Sequence, residues 1–275
     1  MASTDVAKKT ASTELAAFDY GEDAGSGFEN QTAADYSIPF LGVLQQMSPQ
    51  VKDTDDGGIP GARPGMLLNT VTEELYPAKE GLQFVPAHTE HVFVEWVPRE
   101  SGGGFVAAHQ INSDVVKRAK ANAREYGKYR TDAGNDLVET FYVYGITCDD
   151  RDAGEMLVIA FTSTKIKVYK RWNTKIGMFQ IKTGDGRKVR PPLFAHRVKL
   201  TTSKEKNNKG EFYNLAINPA ESDLTSSLLS PDDPRFMAAK DCKRMVESGM
   251  ARAAYDSQEN GGGGGGSAGD DEVPF

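Results

Sequence analysis

Residues 161–210 read FTSTKIKVYKRWNTKIGMFQIKTGDGRKVRPPLFAHRVKLTTSKEKNNKG, and how this run folds decides the architecture of the whole chain. Fourteen Lys/Arg stand against two acids, Asp185 and Glu205, a local charge of +12 in a chain of net charge −7. The segment KIKVYKRW alternates cations with apolar or aromatic residues, the period of a strand. MFQIK and FAHRVKLTT predict further strands, with GDGRKVRPP between them as an exposed basic loop and KEKNNKGE as a turn. Phe161, Tyr169, Trp172, Phe179 and Phe194 lie among the cations. Cations that follow a phosphate backbone, beside flat rings on which unstacked bases lie, are what a single-stranded nucleic-acid groove requires. The bland alternative is a solvated basic face over core aromatics.

Taken as a groove, the run assigns base stacking first to Tyr169 and Trp172. Phe179 and Phe194 come second, because either ring could equally belong to the core. Phosphate contacts are expected from Lys165, Lys167, Lys170, Arg171, Lys175, Arg187, Lys188 and Arg190. Trp96 and Arg99 are secondary candidates, Trp96 more as a core residue.

The flanking sequence predicts more strands. LVETFYVYGITC and MLVIAFTST are rich in β-branched and aromatic residues and are separated by the turn DDRDAGE. LQFVPAHTEHVFVEW predicts a long strand or strand pair, MLLNTVTEELY a strand before it, and FYNLAINP the last strand. SGGGFVAAHQ reads as a glycine turn into another extended piece; its adjacent glycines lack phosphate-loop spacing. A helix starts at Asn112 or Ser113, with Val115, Val116, Ala119, Ala123 and Tyr126 on one face and Lys117, Arg118, Lys120 and Arg124 on the other. A second starts at Ser230 or Asp232, with Pro234 in its first turn. YSIPFLGVLQQMSPQV, with Ile38, Phe40, Leu41, Leu44 and Met47 near helical spacing, predicts a short helix packed on the body.

The expected fold class is therefore mainly β with a few helices (α+β). It has six to nine short strands in an elaborated OB-fold-type barrel, and an immunoglobulin-like sandwich is the alternative. Three regions are expected. Residues 1–35 form a disordered acidic segment, 36–255 the single-stranded DNA-binding domain with helical insertions, and 256–275 a flexible glycine linker ending in an acidic tip. The net charges are −5, +3 and −5 respectively, so a mildly basic body stands between two acidic ends. Hydrophobic residues at 39% and charged ones at 26% suit an ordinary globular protein. No apolar run approaches the length of a membrane helix, and no secretion signal opens the chain. Two cysteines, Cys148 and Cys242, are too few for a disulfide framework, so a reducing cytoplasm is expected. His88, His91 and His109 lack companion ligands, and no metal or cofactor is expected.

The chain ends SQENGGGGGGSAGDDEVPF. Six glycines cannot pack without a large entropic loss, so this segment is a tether delivering Asp270, Asp271, Glu272, Val273, Pro274 and Phe275. A terminal ring beside a free carboxylate, behind a stiff proline and three acids, is a compact ligand for an apolar pocket with a basic rim.

The tip resembles the DDDIPF-type C-terminus of bacterial single-stranded DNA-binding proteins. Asp270, Asp271, Pro274 and Phe275 match, while Glu272 and Val273 depart conservatively. IPFLGVLQQMSPQV, FVEWVPRESGGGF and KRWNTKI resemble single-stranded DNA-binding proteins of tailed bacteriophages. The tip resemblance implies recruitment of replication and repair proteins. The phage resemblance implies an elaborated OB-type core with an acidic tail, a role in phage replication and recombination, and the host cytoplasm as its place. No enzymatic activity is expected. The rival functions are a strand-annealing mediator or RNA-binding adaptor, and a metal-dependent nuclease built from Glu139, Asp149, Asp150, Asp152 and Glu155.

Overall fold

The computed structural model describes residues 26–27, 37–52, 57–208 and 210–253. Nearly all of the acidic N-terminal segment, and all of 256–275 with the tip Asp270–Phe275, lie outside the described residues.

The chain opens with β1 (Ser37–Ile38) and β2 (Leu41–Val43), then the hairpin β3 (Leu67–Asn69) and β4 (Leu75–Tyr76). Where a short helix was expected over residues 36–49, residues 37–43 are extended chain instead. Pro39 and Gly42 oppose a helix, and Ile38, Phe40, Leu41 and Val43 are all buried. The single strand expected for MLLNTVTEELY is broken by Asn69, whose Oδ1 accepts the N–H of Val71 (3.0 Å) and Thr72 (3.1 Å) and turns the chain.

β5 (Leu82–Trp96) is one strand of fifteen residues. Next come β6 (Phe105–Gln110), α1 (Asp114–Ala121), β7 (Tyr129–Arg130), β8 (Asp136–Cys148) and β9 (Ala153–Phe161). Ser113 caps α1 by accepting the Val116 N–H. β5 and β8 pair antiparallel along nearly their full lengths and form the spine. The spine bends where Pro86 faces Gly145, with Ala87 bulged between Pro86 and His88. Only glycine fits opposite: a Cβ on residue 145 would stand 2.3 Å from the Val85 carbonyl oxygen and 2.5 Å from the Phe84 ring.

The basic run forms α2 (Lys165–Met178), the small hairpin β10 (Ile181–Lys182) and β11 (Lys188–Val189), and then β12 (Val198–Asn207). KIKVYKRW is therefore helix, not strand. Its alternation holds only over 165–168, whereas Tyr169, Trp172 and Ile176 recur at the helical period and are the residues buried. The strand expected at MFQIK shrinks to Ile181–Lys182. The last elements are β13 (Gly210–Pro219), α3 (Pro234–Glu247) and β14 (Arg252–Ala253), with Asp233 capping α3.

Among the described residues the main sheet has seven strands in the order β13-β12-β5-β8-β7, with β6 on the far half of β5 and β9 on β8. One face buries Val85, Ala87, Val92, Val94, Tyr142 and Tyr144 beneath Phe236, Ala239, Cys242 and Val246 of α3. The other buries Phe84, Phe141, Val143 and Phe161 beneath Tyr169, Trp172 and Ile176 of α2 and beneath Leu41, Val43 and Leu67. At the far end Phe93, Val116, Ala119, Tyr129 and Leu137 form a third cluster. Buried Arg235 ties α3 to the β8–β9 turn. It donates to the carbonyls of Asp149 (3.1 Å) and Asp150 (2.9 Å) and to the Asp233 carboxylate (2.7 Å).

The α+β class is as expected. The barrel is not: the sheets are open, and no ladder joins β9 to β13 among the described residues. Residues 39–45 occupy the gap. The Val158 N–H donates to the Pro39 carbonyl (2.9 Å). At the other margin the Gln45 side chain pairs with the Tyr213 backbone, donating to its carbonyl and accepting its N–H, both at 2.8 Å. A side-chain amide thus satisfies the β13 edge in place of a neighbouring strand. No helix among the described residues is long and apolar enough to cross a membrane.

Candidate nucleic-acid interface

α2 is amphipathic in the ordinary sense, with its rings inward and its cations outward. Tyr169 lies on Phe141 with centroids 4.6 Å apart and planes 25° from parallel, and 5.5 Å from the Phe161 centroid. Trp172 sits 6.2 Å from Tyr169, and its Nε1 is buried with no hydrogen-bond partner among the described residues. Both side chains are core, so their assignment as base-stacking platforms is corrected: a face packed on the sheet is not open to a base. Phe194 meets Phe236 edge-to-face at 4.9 Å, on the α3 side of the sheet and away from the cations. Phe179 is half-buried at the root of the β10–β11 hairpin, its ring 5.9 Å from buried His196. Trp96 packs edge-on against Phe105 (5.8 Å), and Arg99 is exposed on a separate 3-10 turn (Arg99–Ser101).

The expected cations fare differently. Lys167, Lys170, Arg171 and Lys175 are all exposed along the outer side of α2. Lys167, Arg171 and Lys175 succeed one another at i, i+4, a column of like charges that destabilises an isolated helix by about 0.2–0.5 kcal/mol per step. The hairpin repeats the arrangement, since Lys182 and Lys188 stand directly opposite each other across the β10–β11 ladder and both are exposed. Opposed like charges also destabilise a sheet pair. Hairpin and helix adjoin: a Cβ on Gly177 of α2 would lie 3.6 Å from the Arg190 guanidinium. Lys167, Lys170, Arg171, Lys175, Lys182, Lys188 and Arg190 have no carboxylate partner among the described residues. Elsewhere on the surface Lys117, Arg118, Arg130, Lys204, Lys243 and Arg244 each do.

Two expected contacts leave the group. Arg187 turns back onto Asp185, whose carboxyl is held below the ordinary range by hydrogen bonds from Thr183 and Arg187. Lys165 is drawn in at the first turn of α2, where burial pushes its ammonium down to about 8. The Arg190 charge reaches inward to His196, whose pKa falls to about 4, first through burial and then through that guanidinium.

The carboxylates proposed for a nuclease do not converge. Glu139 lies near the start of β8 and is 2.9 Å from His91 Nε2. Asp149, Asp150, Asp152 and Glu155 lie at the opposite end, about 30 Å along the strand. The Asp149 carboxylate is engaged by its own turn, accepting the N–H groups of Arg151 and Asp152, both at 2.7 Å. His88 and His91 likewise separate: His88 faces Tyr144 on the α3 side, and His91 stacks on Phe141 on the other.

A second cluster of rings and cations, not signalled by the basic run of the sequence, lies at the far end of the same sheet face. Tyr126 was expected on the inner face of α1. That helix ends at Ala121, however, and Tyr126 projects from the turn before β7, 85% exposed. Below it are Tyr129, Phe93 and Lys120, whose Nζ lies 4.3 Å from the Phe93 centroid. The Tyr126-Gly127 pair, with glycine in the left-handed region, was the available signal that the chain turns there.

Fold and surface together define an α+β protein that presents a helix and a hairpin of unneutralised cations on one side of an open sheet. The chain belongs to the Pam3 phage gp34-like protein family, matching it over residues 7–252. Membership points to a bacteriophage origin. Comparison with curated proteins and with solved structures finds no match.

Proposed function

We propose that this protein binds single-stranded DNA without regard to sequence, in phage DNA replication, recombination and repair, and recruits partner proteins through its acidic C-terminal tip. The observation that carries this is the cationic column Lys167–Arg171–Lys175 of α2 beside the opposed Lys182 and Lys188. Like charges at these spacings cost stability in the free protein and are relieved by an anion laid along them. A polyphosphate backbone supplies repeating anions to such a surface, and its affinity falls with salt as counterions are released. The acidic tip Asp270–Glu272, carried on the same chain, is a local competitor for that surface at high effective concentration.

The test is fluorescence anisotropy of labelled oligo-dT at low salt, with duplex DNA and RNA of equal length as competitors. Preferential binding of the DNA single strand is expected. Absence of binding at about 50 mM salt, where phosphate contacts are strong, overturns the proposal. Equal competition by RNA moves it to the adaptor function.

A further inference from the structure

We propose that the cleft between α1 and the start of β8 is a base-stacking subsite, with the Tyr126 ring as platform and a nucleobase of a single strand as occupant, an assignment that rests on the single-strand reading above. Tyr126 is, at 85%, the most exposed large apolar side chain among the described residues. Such a ring loses nothing by being covered and gains contact with any flat partner. Its position is set from below. Tyr129 supports it edge-on with centroids 6.4 Å apart, and Tyr129 is itself buried and edge-on to Phe93 at 5.8 Å. The cleft these rings define has a volume of about 440 Å³, within the range of small-molecule sites.

Charge selects the occupant. Of the two acids lining the cleft, Glu125 is paired with Lys128 (2.9 Å) and Glu139 with His91 (2.9 Å). Lys120 and Arg124, which also line it, have no carboxylate partner among the described residues. With Lys128 counted beside Glu125, three cations stand against the two carboxylates, an excess of one positive charge beside an open ring, which suits a base attached to phosphate and disfavours a purely apolar ligand.

The cleft is linked to the cationic helix through a short chain of contacts. Glu139 in its wall touches His91, His91 stacks on Phe141 at 4.0 Å, and Lys170 Nζ of α2 lies 5.7 Å from the same Phe141 centroid. A strand whose phosphates lie along α2 is thereby led over the His91 edge toward Tyr126. The rings missing from α2 are supplied by the α1–β7 turn.

The test uses the full chain and its Tyr126→Ala, Tyr126→Phe and Lys170→Glu/Arg171→Glu variants, each checked by thermal melting. Each is titrated with oligo-dT and with an abasic deoxyribose-phosphate strand of equal length. Tyr126→Ala should weaken oligo-dT binding about 5- to 150-fold, the effect of one stacked base, with an unchanged salt slope. It should leave the abasic strand unaffected, and Tyr126→Phe should bind as the parent does. If Tyr126→Ala binds oligo-dT normally while Lys170→Glu/Arg171→Glu does not, the subsite is wrong and single-strand binding stands. Equal weakening toward both strands also overturns it, in favour of a backbone contact. A parent protein that binds neither strand removes both proposals.

Discussion

The ring of Tyr169 lies flat on Phe141, and His91 covers the other side of that phenyl group at 4.0 Å and 16°. This three-ring stack seats α2 on the sheet. Tyr169→Ala should cost about 3–5 kcal/mol, as for other buried aromatic truncations, seen as a lowered midpoint in urea. Tyr169→Phe, which keeps the stack, should cost under about 1.5 kcal/mol. An alanine variant as stable as the parent would contradict the placement of α2.

Gln45 should be worth more than a surface amide. Its side chain closes the margin of β13, so Gln45→Ala leaves the Tyr213 N–H and carbonyl without their partner. The expected loss is about 1–3 kcal/mol, measured by denaturant unfolding, with amide exchange at Tyr213 accelerated.

Acid should weaken the fold before carboxylates titrate. His196 has its pKa lowered to about 4 by burial and by Arg190, against about 6.5 when unfolded. Between those values the unfolded chain binds the extra proton, so stability falls as pH drops from about 6.5 toward 4 and gains nothing from this group above that window. The full effect is on the order of 3 kcal/mol. His196→Gln should flatten the stability curve there; an unchanged slope would remove His196 as its source.

The sheet was largely legible in the sequence, and the surface only in part. β5, β8, β9 and β13 announce themselves by β-branched and aromatic runs between turns, α1 by Ser113 and α3 by Pro234, although the cap of α3 is Asp233 and not the expected Ser230 or Asp232. α2 was obscured because four residues, 165–168, fit both periods, and only Trp172 and Ile176 separate them. The open sheet was invisible, because the margin of β13 is satisfied by one amide, Gln45, reaching a residue 168 positions away. The cations of the site could be read because a dense like-charge run has to face solvent. The rings could not, because an aromatic beside a lysine is buried or exposed according to the turn of the helix. Tyr126 was misplaced by five residues of helix, 122–126, that do not form.

Removing residues 267–275 deletes the acidic tip and its competition for the cationic surface. The truncated chain should bind oligo-dT more tightly at low salt, with the difference vanishing as salt rises. Identical affinities at low salt would exclude the tip as a competitor.

Arg171 tests the central claim most directly, because it stands between Lys167 and Lys175 in a column with no acid. Arg171→Glu converts two repulsive i, i+4 steps into attractive ones, so the melting temperature should hold or rise. The same change should weaken oligo-dT binding and reduce the slope of log affinity against log salt by about 0.7 for each phosphate no longer neutralised. A variant that is more stable and binds less well is the predicted result. A variant that binds single strands with the parent's affinity and salt slope would contradict it.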